Sequence, residues 1–250
     1  NILGRKAAIA RYDGAAVRSF VERTHTTDRM VFSSIGNLSC KAVAAVAARH
    51  FGETPTSERT FLRERPADVA PFERTVTRHT HQIHCIIGCR AYGLQDERRL
   101  PLALLVNLLG GPSANSLLNV VVREQNGLSY NIEAGYTPYT DCGGVAIYFS
   151  SEPCNRDRCI ELIRRELERL KTTPLTSRRL SMAKKQFIAQ LAISMESNEG
   201  YMLGAGKSFL VHDRVDTMEE VYRKVEVLTA RELTETAEEI FGETSQLIYK

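Results

Sequence analysis

The chain has 250 residues, of which 43% are hydrophobic and 25% are charged, as is usual for a globular protein with a sizeable core. Its formal net charge is only +3, and acidic and basic residues are interspersed, which gives no reason to expect a nucleic-acid partner. No apolar run reaches the roughly 18 residues that a membrane span requires. No signal peptide is visible.

The first fifty residues predict two capped helices and one strand. Asp13 is placed to cap a helix of about ten residues, and Ser39 is placed to cap the next helix. Residues 30–35 between them are predicted to form a strand. The chain begins at Asn1 in the middle of this pattern and without a methionine, so we interpret it as a piece of a longer protein.

A change of composition follows at residues 53–72, where three prolines stand among many charged residues. Such a segment is typical of an extended linker. We therefore predict that residues 1–52 are the tail of a first α+β module. Residues 73–250 are predicted to form a second, nearly complete α+β module.

The second module begins with a predicted strand at residues 75–88 and a helix that carries Pro101 in its first turn, where a missing N–H does no harm. Residues 129–139 and 145–150 then predict two strands joined as a hairpin. Two long helices follow, and Pro174 separates them.

The C-terminal part predicts a shorter, glycine-containing helix and then two helices that begin with capping boxes at residues 216–219 and 229–232. Residues 245–249 are predicted to form the last strand. Residues 3–36 and 210–250 share one layout, a capped helix followed by a strand. This internal repeat predicts two homologous modules.

One stretch joins several signals. Gly110-Gly111 ends an apolar helix, and a second apolar helix is predicted over residues 117–122. Gly127 is placed to end that helix in the left-handed conformation, and a strand is predicted to begin at Leu128. Arg123 thus lies near a helix end and Tyr130 near a strand start, so the two side chains are able to converge.

The run Leu-Gly-Gly, a helix, and then Arg-Glu-x-x-Gly-Leu-x-Tyr resembles the second half of the insulinase/pitrilysin-type zinc metallopeptidases, which include the mitochondrial processing peptidases. The resemblance covers nearly the whole chain and is strongest over residues 105–150. It implies an α+β fold, with an antiparallel sheet packed with helices in one half-module of a clam-shaped enzyme. Residues 113–119 depart from the family's usual Ser-Ser-Arg-Leu-Phe, which leaves the subsite preference open.

The resemblance also implies roles for Arg123 and Tyr130. In the family this pair reaches toward zinc held by another half of the enzyme, binds the peptide carbonyl and stabilises the oxyanion formed when zinc-bound water attacks. A structural alternative exists, in which Arg123 complements the helix C-terminal dipole and Tyr130 packs in the sheet. The surrounding motif favours the functional interpretation.

The family's zinc motif, His-x-x-Glu-His, does not occur in these 250 residues. We therefore assign no zinc ligand here, and we expect zinc only in the parent enzyme. His79-x-His81-x-x-His84 is a possible substitute. On a strand, however, His79 and His81 share one face while His84 lies on the other, which favours a strand-surface role.

The expected function is that of the C-terminal part of a zinc metalloendopeptidase that hydrolyses peptides and is inactive as this piece alone. Its expected partners are a peptide substrate and an N-terminal zinc-bearing module or partner subunit, with a homodimer by analogy. A peptide is able to add to an exposed strand edge. The alternatives are a non-catalytic partner subunit and a plain peptide-binding scaffold, and the sequence upstream of Asn1 would distinguish the first of these from the enzyme.

The six cysteines form no Cys-x-x-Cys pair, and several stand in apolar contexts. We interpret them as reduced thiols without a metal. This pattern slightly favours a soluble protein of the cytoplasm.

Overall fold

A computed structural model of the chain describes residues 3–60, 62, 64, 66–78 and 80–250. The chain divides into two units. Unit 1 comprises Asn1–Glu64 with Met195–Val215, and unit 2 comprises Arg65–Ser194 with Asp216–Lys250. The division into 1–52, 53–72 and 73–250 stays a prediction. It places residues 195–215 in the second module, whereas the contacts group them with unit 1.

The elements of the described residues follow in chain order. The strands are β1 (Glu73–Val76), β2 (Ile83–Ala91), β3 (Asn131–Pro138), β4 (Gly143–Ser151) and β5 (Ser245–Tyr249). The helices are α1 (Lys6–Ile9), α2 (Gly14–Thr24), α3 (Cys40–Phe51), α4 (Arg99–Gly110), a π-helix (Asn119–Glu124), α5 (Arg156–Thr172), α6 (Ser177–Met195), α7 (Asn198–His212), α8 (Met218–Glu226) and α9 (Ala230–Ile240).

Unit 2 is built on a five-stranded sheet with the order β1-β5-β2-β4-β3. All neighbouring strands are antiparallel except β1 and β5, which are parallel. Because β2 lies in the centre, its alternate side chains Ile83, Cys85 and Ile87 are buried. They belong to one apolar core with residues of α4, α5 and α9. The predicted α+β class with a largely antiparallel sheet is confirmed.

The strand predicted at residues 75–88 is wrong as a single element. The chain instead forms β1, a turn and then β2. Both strands pair with β5, but β1 runs parallel to it and β2 runs antiparallel. The chain therefore has to reverse its direction between Val76 and Ile83, and one continuous strand is excluded.

A smaller correction concerns the start of α8. Its cap is Thr217, whose hydroxyl accepts from the backbone N–H of Glu220 while the Glu220 carboxylate accepts from the Thr217 N–H. The capping box thus begins one residue later than predicted, and Asp216 forms an ion pair with Lys224 instead. The capping box of α9, which begins at Thr229, is confirmed.

Unit 1 is mostly helical. The predicted caps are confirmed, because Asp13 and Ser39 accept backbone N–H bonds at the starts of α2 and α3. The predicted strand at residues 30–35 is wrong: no strand of the described chain pairs with this segment, although Met30 has extended backbone angles. An isolated extended segment is not a strand, because strands are defined by hydrogen bonds to a neighbour.

The internal repeat predicted between residues 3–36 and 210–250 is only partial in the structure. In unit 2, α9 is followed by β5, which lies inside the sheet between β1 and β2. In unit 1, α2 is followed by a short 3₁₀ turn and then the unpaired residues 30–35. The two copies therefore share the capped helix but not the paired strand.

All six cysteines are free thiols. Cys85 and Cys159 are buried in the core of unit 2. Burial disfavours the thiolate, and it raises the pKa of Cys85 to about 12 and that of Cys89 to about 12. These core thiols act as small apolar side chains.

The end of α4 lies unusually close to β3. A Cβ atom added to Gly110 would lie 2.7 Å from both the Cβ and the backbone nitrogen of Ala134. These are atoms of a paired strand, so they cannot move aside easily. Only glycine permits this approach, which places the segment after α4 against the sheet.

We predict that Gly110→Ala destabilises the protein by about 2 kcal/mol through overpacking. Gly135→Ala is the matched control. Gly135 lies in β3 next to Ala134, and a Cβ added there meets nothing within 4 Å. Urea unfolding of the three proteins measures the difference. Equal stability of the two variants would contradict the proposed constraint at Gly110.

Candidate active site

The helix that carries Arg123 is wider than predicted. The backbone N–H of Gln125 donates to the Val120 carbonyl at 2.9 Å, five residues back, which is the spacing of a π-helix. The predicted α-helix over residues 117–122 is therefore corrected to a short α-turn followed by the π-helix. Its predicted apolar face is confirmed, because Leu117, Leu118 and Val122 are buried. Such π segments are frequent at functional sites.

Gly127 ends this helix as predicted. Its φ is +62°, in the left-handed region, and its N–H donates to the Arg123 carbonyl at 2.9 Å. The next N–H, that of Leu128, donates to the Val122 carbonyl at 3.0 Å. The side-chain amide of Asn126 donates to the Val121 carbonyl at 2.6 Å. Three successive carbonyls at the helix end are thus satisfied, and the chain turns sharply toward β3.

Arg123 stands at this helix end with about half of its side chain exposed. Its nearest charged neighbour is Glu124, with a separation of 3.5 Å between the guanidinium nitrogen and the carboxylate oxygen. An exposed ion pair of this kind contributes little to stability. The guanidinium is therefore available to a ligand at a small cost.

Tyr130 lies one residue before β3 and is 89% exposed. The strand was predicted to begin at Leu128 or Ser129, and it begins at Asn131 instead. Tyr130 consequently does not pack in the sheet, which contradicts that part of the structural alternative.

Ser129 is a residue that the sequence reasoning missed. It is buried, and its hydroxyl lies 2.6 Å from the Ser150 carbonyl oxygen and 2.8 Å from the Asn131 carbonyl oxygen. It therefore ties the start of β3 to β4 directly beside Tyr130. The only available signal was a small polar residue between Leu128 and Tyr130.

The residues that depart from the family pattern form a loop stabilised by its own polar side chains. The Ser113 hydroxyl donates to the Asn115 side-chain oxygen at 2.7 Å, and the Asn119 amide donates to the Ser116 hydroxyl at 2.9 Å. A cavity of about 340 Å³ adjoins this loop. Arg179, whose pKa is lowered by burial, also lines this cavity.

The histidine cluster does not form a metal site in the described residues. His79 lies outside them, and His81 lies in a bend before β2. The Nδ1 atom of His84 is 2.8 Å from the Tyr148 hydroxyl, and the two rings stack. Across the described part of the chain, no three His, Cys, Asp or Glu side chains come together. These residues therefore do not fit a zinc site.

A second polar cluster is satisfied internally. The Tyr92 hydroxyl donates to Glu239 at 2.7 Å, and Arg98 binds both Glu239 and Asp96 while it covers the Tyr92 ring at 4.3 Å. Burial and the Glu239 carboxylate both raise the pKa of Tyr92. Because these charges already satisfy one another, the cluster fastens α9 to the sheet, and it is not a candidate site.

An apolar groove of about 860 Å³ lies in unit 1. Its walls include Phe32 and Phe51, whose rings lie 5.9 Å apart, and Leu203 and Leu210 of α7. All four side chains are at least 40% exposed. Unit 1 thus leaves an unusual amount of apolar surface in water.

The class of the protein follows from the family that the chain matches. Residues 13–187 match the family described as Peptidase M16 inactive domain, and the chain belongs to this family. The resemblance stated from the Arg-Glu-x-x-Gly-Leu-x-Tyr run is confirmed. None of the helices in the described residues is both long and apolar enough to cross a membrane.

Among similar proteins, an uncharacterized zinc protease of Bacillus subtilis, YmxG, is 28% identical over 242 residues, which are 97% of this chain and 58% of that protein. The mitochondrial-processing peptidase subunit beta of Blastocladiella emersonii is 24% identical over 248 residues, which cover 95% of this chain and 52% of that protein. The chain therefore spans a little over half of the length of these relatives.

Solved structures show the same fold. A peptidase M16 inactive domain from Pseudomonas fluorescens superposes with a TM-score of 0.87 at 20% identity, covering 98% of this chain and 59% of that one. A protease from Helicobacter pylori gives a TM-score of 0.83 at 18% identity, covering 99% of this chain and 61% of that one.

We predict that Gly127→Ala destabilises the protein by about 1 kcal/mol, because a Cβ is strained at a φ of +62° although nothing lies within 4 Å of it. Gly127→Asn should lose less stability than Gly127→Ala, since asparagine tolerates the left-handed conformation better than alanine does. Thermal unfolding midpoints measure both effects. An alanine variant as stable as the wild type would show that the left-handed turn is not required.

Proposed function

We propose that this chain is the C-terminal part of a zinc metalloendopeptidase and that it supplies a substrate-binding pair, Arg123 and Tyr130. In this proposal the zinc motif lies on an N-terminal part outside the 250 residues. The 250-residue piece is inactive alone, because it lacks the residues for a metal site in its described part. The zinc proteases among its relatives support zinc in the parent enzyme.

The observation that carries the proposal is the exposure of both side chains on either side of one sharp turn. Arg123 ends the π-helix, Gly127 reverses the chain, and Tyr130 precedes β3. Neither side chain is buried in the core, and both flank a turn whose backbone is held by several hydrogen bonds.

The chemistry of the pair suits a peptide carbonyl. The guanidinium of Arg123 offers several N–H donors, and the phenol of Tyr130 offers one O–H donor. Both are able to donate hydrogen bonds to a carbonyl oxygen and to hold it more tightly as negative charge develops there. In this way the chain's own residues orient the substrate and stabilise the oxyanion.

The main alternative is a non-catalytic partner subunit of the same fold. Its specific support is that the matching family is described as an inactive domain and that one relative is a subunit of a processing peptidase. In that case Arg123 and Tyr130 would serve a site whose zinc is held by a different chain. A homodimer is proposed only by analogy with the family.

The test uses the parent chain with its natural upstream sequence. We expect stoichiometric zinc and cleavage of a mixed peptide library. Arg123→Ala and Tyr130→Phe should each lower kcat/KM by about 10- to 100-fold through loss of an oxyanion donor. Zinc content, unfolding midpoint and cleavage are measured for each protein, and the 250-residue piece should cleave nothing.

The matched controls are Arg223→Ala and Tyr139→Phe, which remove the same groups from other exposed positions of unit 2. They should leave cleavage unchanged. A parent chain without zinc and without cleavage would contradict the enzyme proposal. Cleavage restored by adding a zinc-bearing homologue would then support the partner subunit.

We further propose that residues 1–52 end a preceding module, that 53–72 link it to the next, and that 73–250 form the second module. The support lies in unit 1, because Thr26 is the one buried residue among the residues of this unit that the structure describes. A unit that buries so little apolar surface cannot be stable alone. We propose that the preceding part of the parent chain covers its apolar groove and pairs with residues 30–35.

The prediction is that the 250-residue chain binds the apolar dye ANS, whereas the parent chain binds much less per mole. Phe32→Ser should reduce dye binding to the short chain, because Phe32 lines the groove. Phe72→Ser, which changes an exposed phenylalanine outside the groove, serves as the control that leaves the groove intact. Equal dye binding by both chains would refute coverage by the preceding segment.

A further inference from the structure

We propose that Ser129 is a positioning residue for Tyr130 and that it acts by fastening the start of β3 to β4. The inference rests on the proposed function, since it concerns how the phenol of Tyr130 is held in place for a substrate. It assigns no contact between Ser129 and the substrate.

Tyr130 is an exposed side chain with little around it. With 89% of its surface in water, the residue has almost no packing that could fix its position. The place of its hydroxyl therefore depends on the backbone from which the side chain starts. The residues that hold this backbone are its immediate neighbours in the chain.

Ser129, unlike Tyr130, is buried and hydrogen-bonded. It is 5% exposed, and its hydroxyl hydrogen is shared between the carbonyl oxygens of Ser150 at 2.6 Å and Asn131 at 2.8 Å. This buried hydroxyl is costly to lose, because its removal takes one hydrogen bond from the site and water has little access to replace it.

The anchor itself is rigid. Ser150 lies on β4, which pairs with β3 on one side and β2 on the other. In this register Ser150 faces Asn131 on β3 and His84 on β2. Ser129 thus connects the exposed turn to an interior strand at the first residue pair of β3, and it transmits that rigidity to Tyr130.

The other member of the pair is held independently. The backbone around Arg123 is fastened by the N–H groups of Gly127 and Leu128 and by the side chain of Asn126, none of which involves Ser129. Loss of the Ser129 hydroxyl should therefore displace Tyr130 and leave Arg123 in place. This selectivity separates a positioning role from general destabilisation.

The test uses the parent chain. We expect Ser129→Ala to lower kcat by about tenfold, to change KM little, and to lower the unfolding midpoint by only a few degrees. Ser151→Ala is the matched control, because Ser151 is a buried serine whose hydroxyl also donates to a backbone carbonyl. It should keep wild-type kcat. If Ser129→Ala does not fold, Ser129→Cys replaces it, since it has a similar size and a weaker donor.

A double-mutant cycle tests whether Ser129 acts through Tyr130. In the Tyr130→Phe background, Ser129→Ala should cause no further loss of kcat. In the Arg123→Ala background it should cause the full tenfold loss. Equal losses in both backgrounds would overturn the proposal, because they would mean that Ser129 acts on the fold as a whole.

Hydrogen exchange of the parent chain keeps the inference separate from the proposed function. Ser129→Ala should accelerate amide exchange at residues 130–132 and leave residues 123–128 unchanged. A wild-type parent without cleavage would refute the proposed function, and the exchange result would still decide the positioning role. Unchanged exchange at residues 130–132 would overturn that role.

Discussion

The structure of the candidate site depends on one reversal of the backbone. Gly127 adopts a left-handed φ that a residue with a Cβ tolerates poorly, and this lets the π-helix turn directly into β3. Without that reversal Arg123 and Tyr130 would lie on a continuing helix, seven residues and about two turns apart. With it, both side chains leave the same short turn and remain exposed.

The scaffold behind the turn is built to keep it in place. Gly110 brings the end of α4 against Ala134 of β3, and β3 is paired with the interior strand β4. The Ser129 hydroxyl adds a buried side-chain bond at the junction. The result is a common arrangement in binding proteins, in which exposed polar groups are carried on a tightly packed support.

The two units of the chain differ in how complete they are. Unit 2 has a contiguous apolar core, a paired sheet and satisfied polar clusters such as that of Tyr92, Arg98 and Glu239. Unit 1 has capped helices but almost no buried side chains, and its extended segment lacks a neighbouring strand among the described residues. Capping is a local property, whereas burial and strand pairing require other parts of a fold, so the capped helices form even though their apolar surface stays exposed.

By itself, the sequence was sufficient to predict the fold class, the caps at Asp13, Ser39 and Thr229, the stop at Gly127 and the motif that identifies the family. Each of these depends on residues within a few positions of one another. Tertiary structure decided that 75–88 is two strands, that 30–35 is unpaired, and that Tyr130 stands outside β3. It also decided the role of Ser129, whose partner Ser150 lies 21 residues away. Strand pairing and side-chain burial are set by residues distant in the chain, and local sequence patterns do not record which distant residues meet.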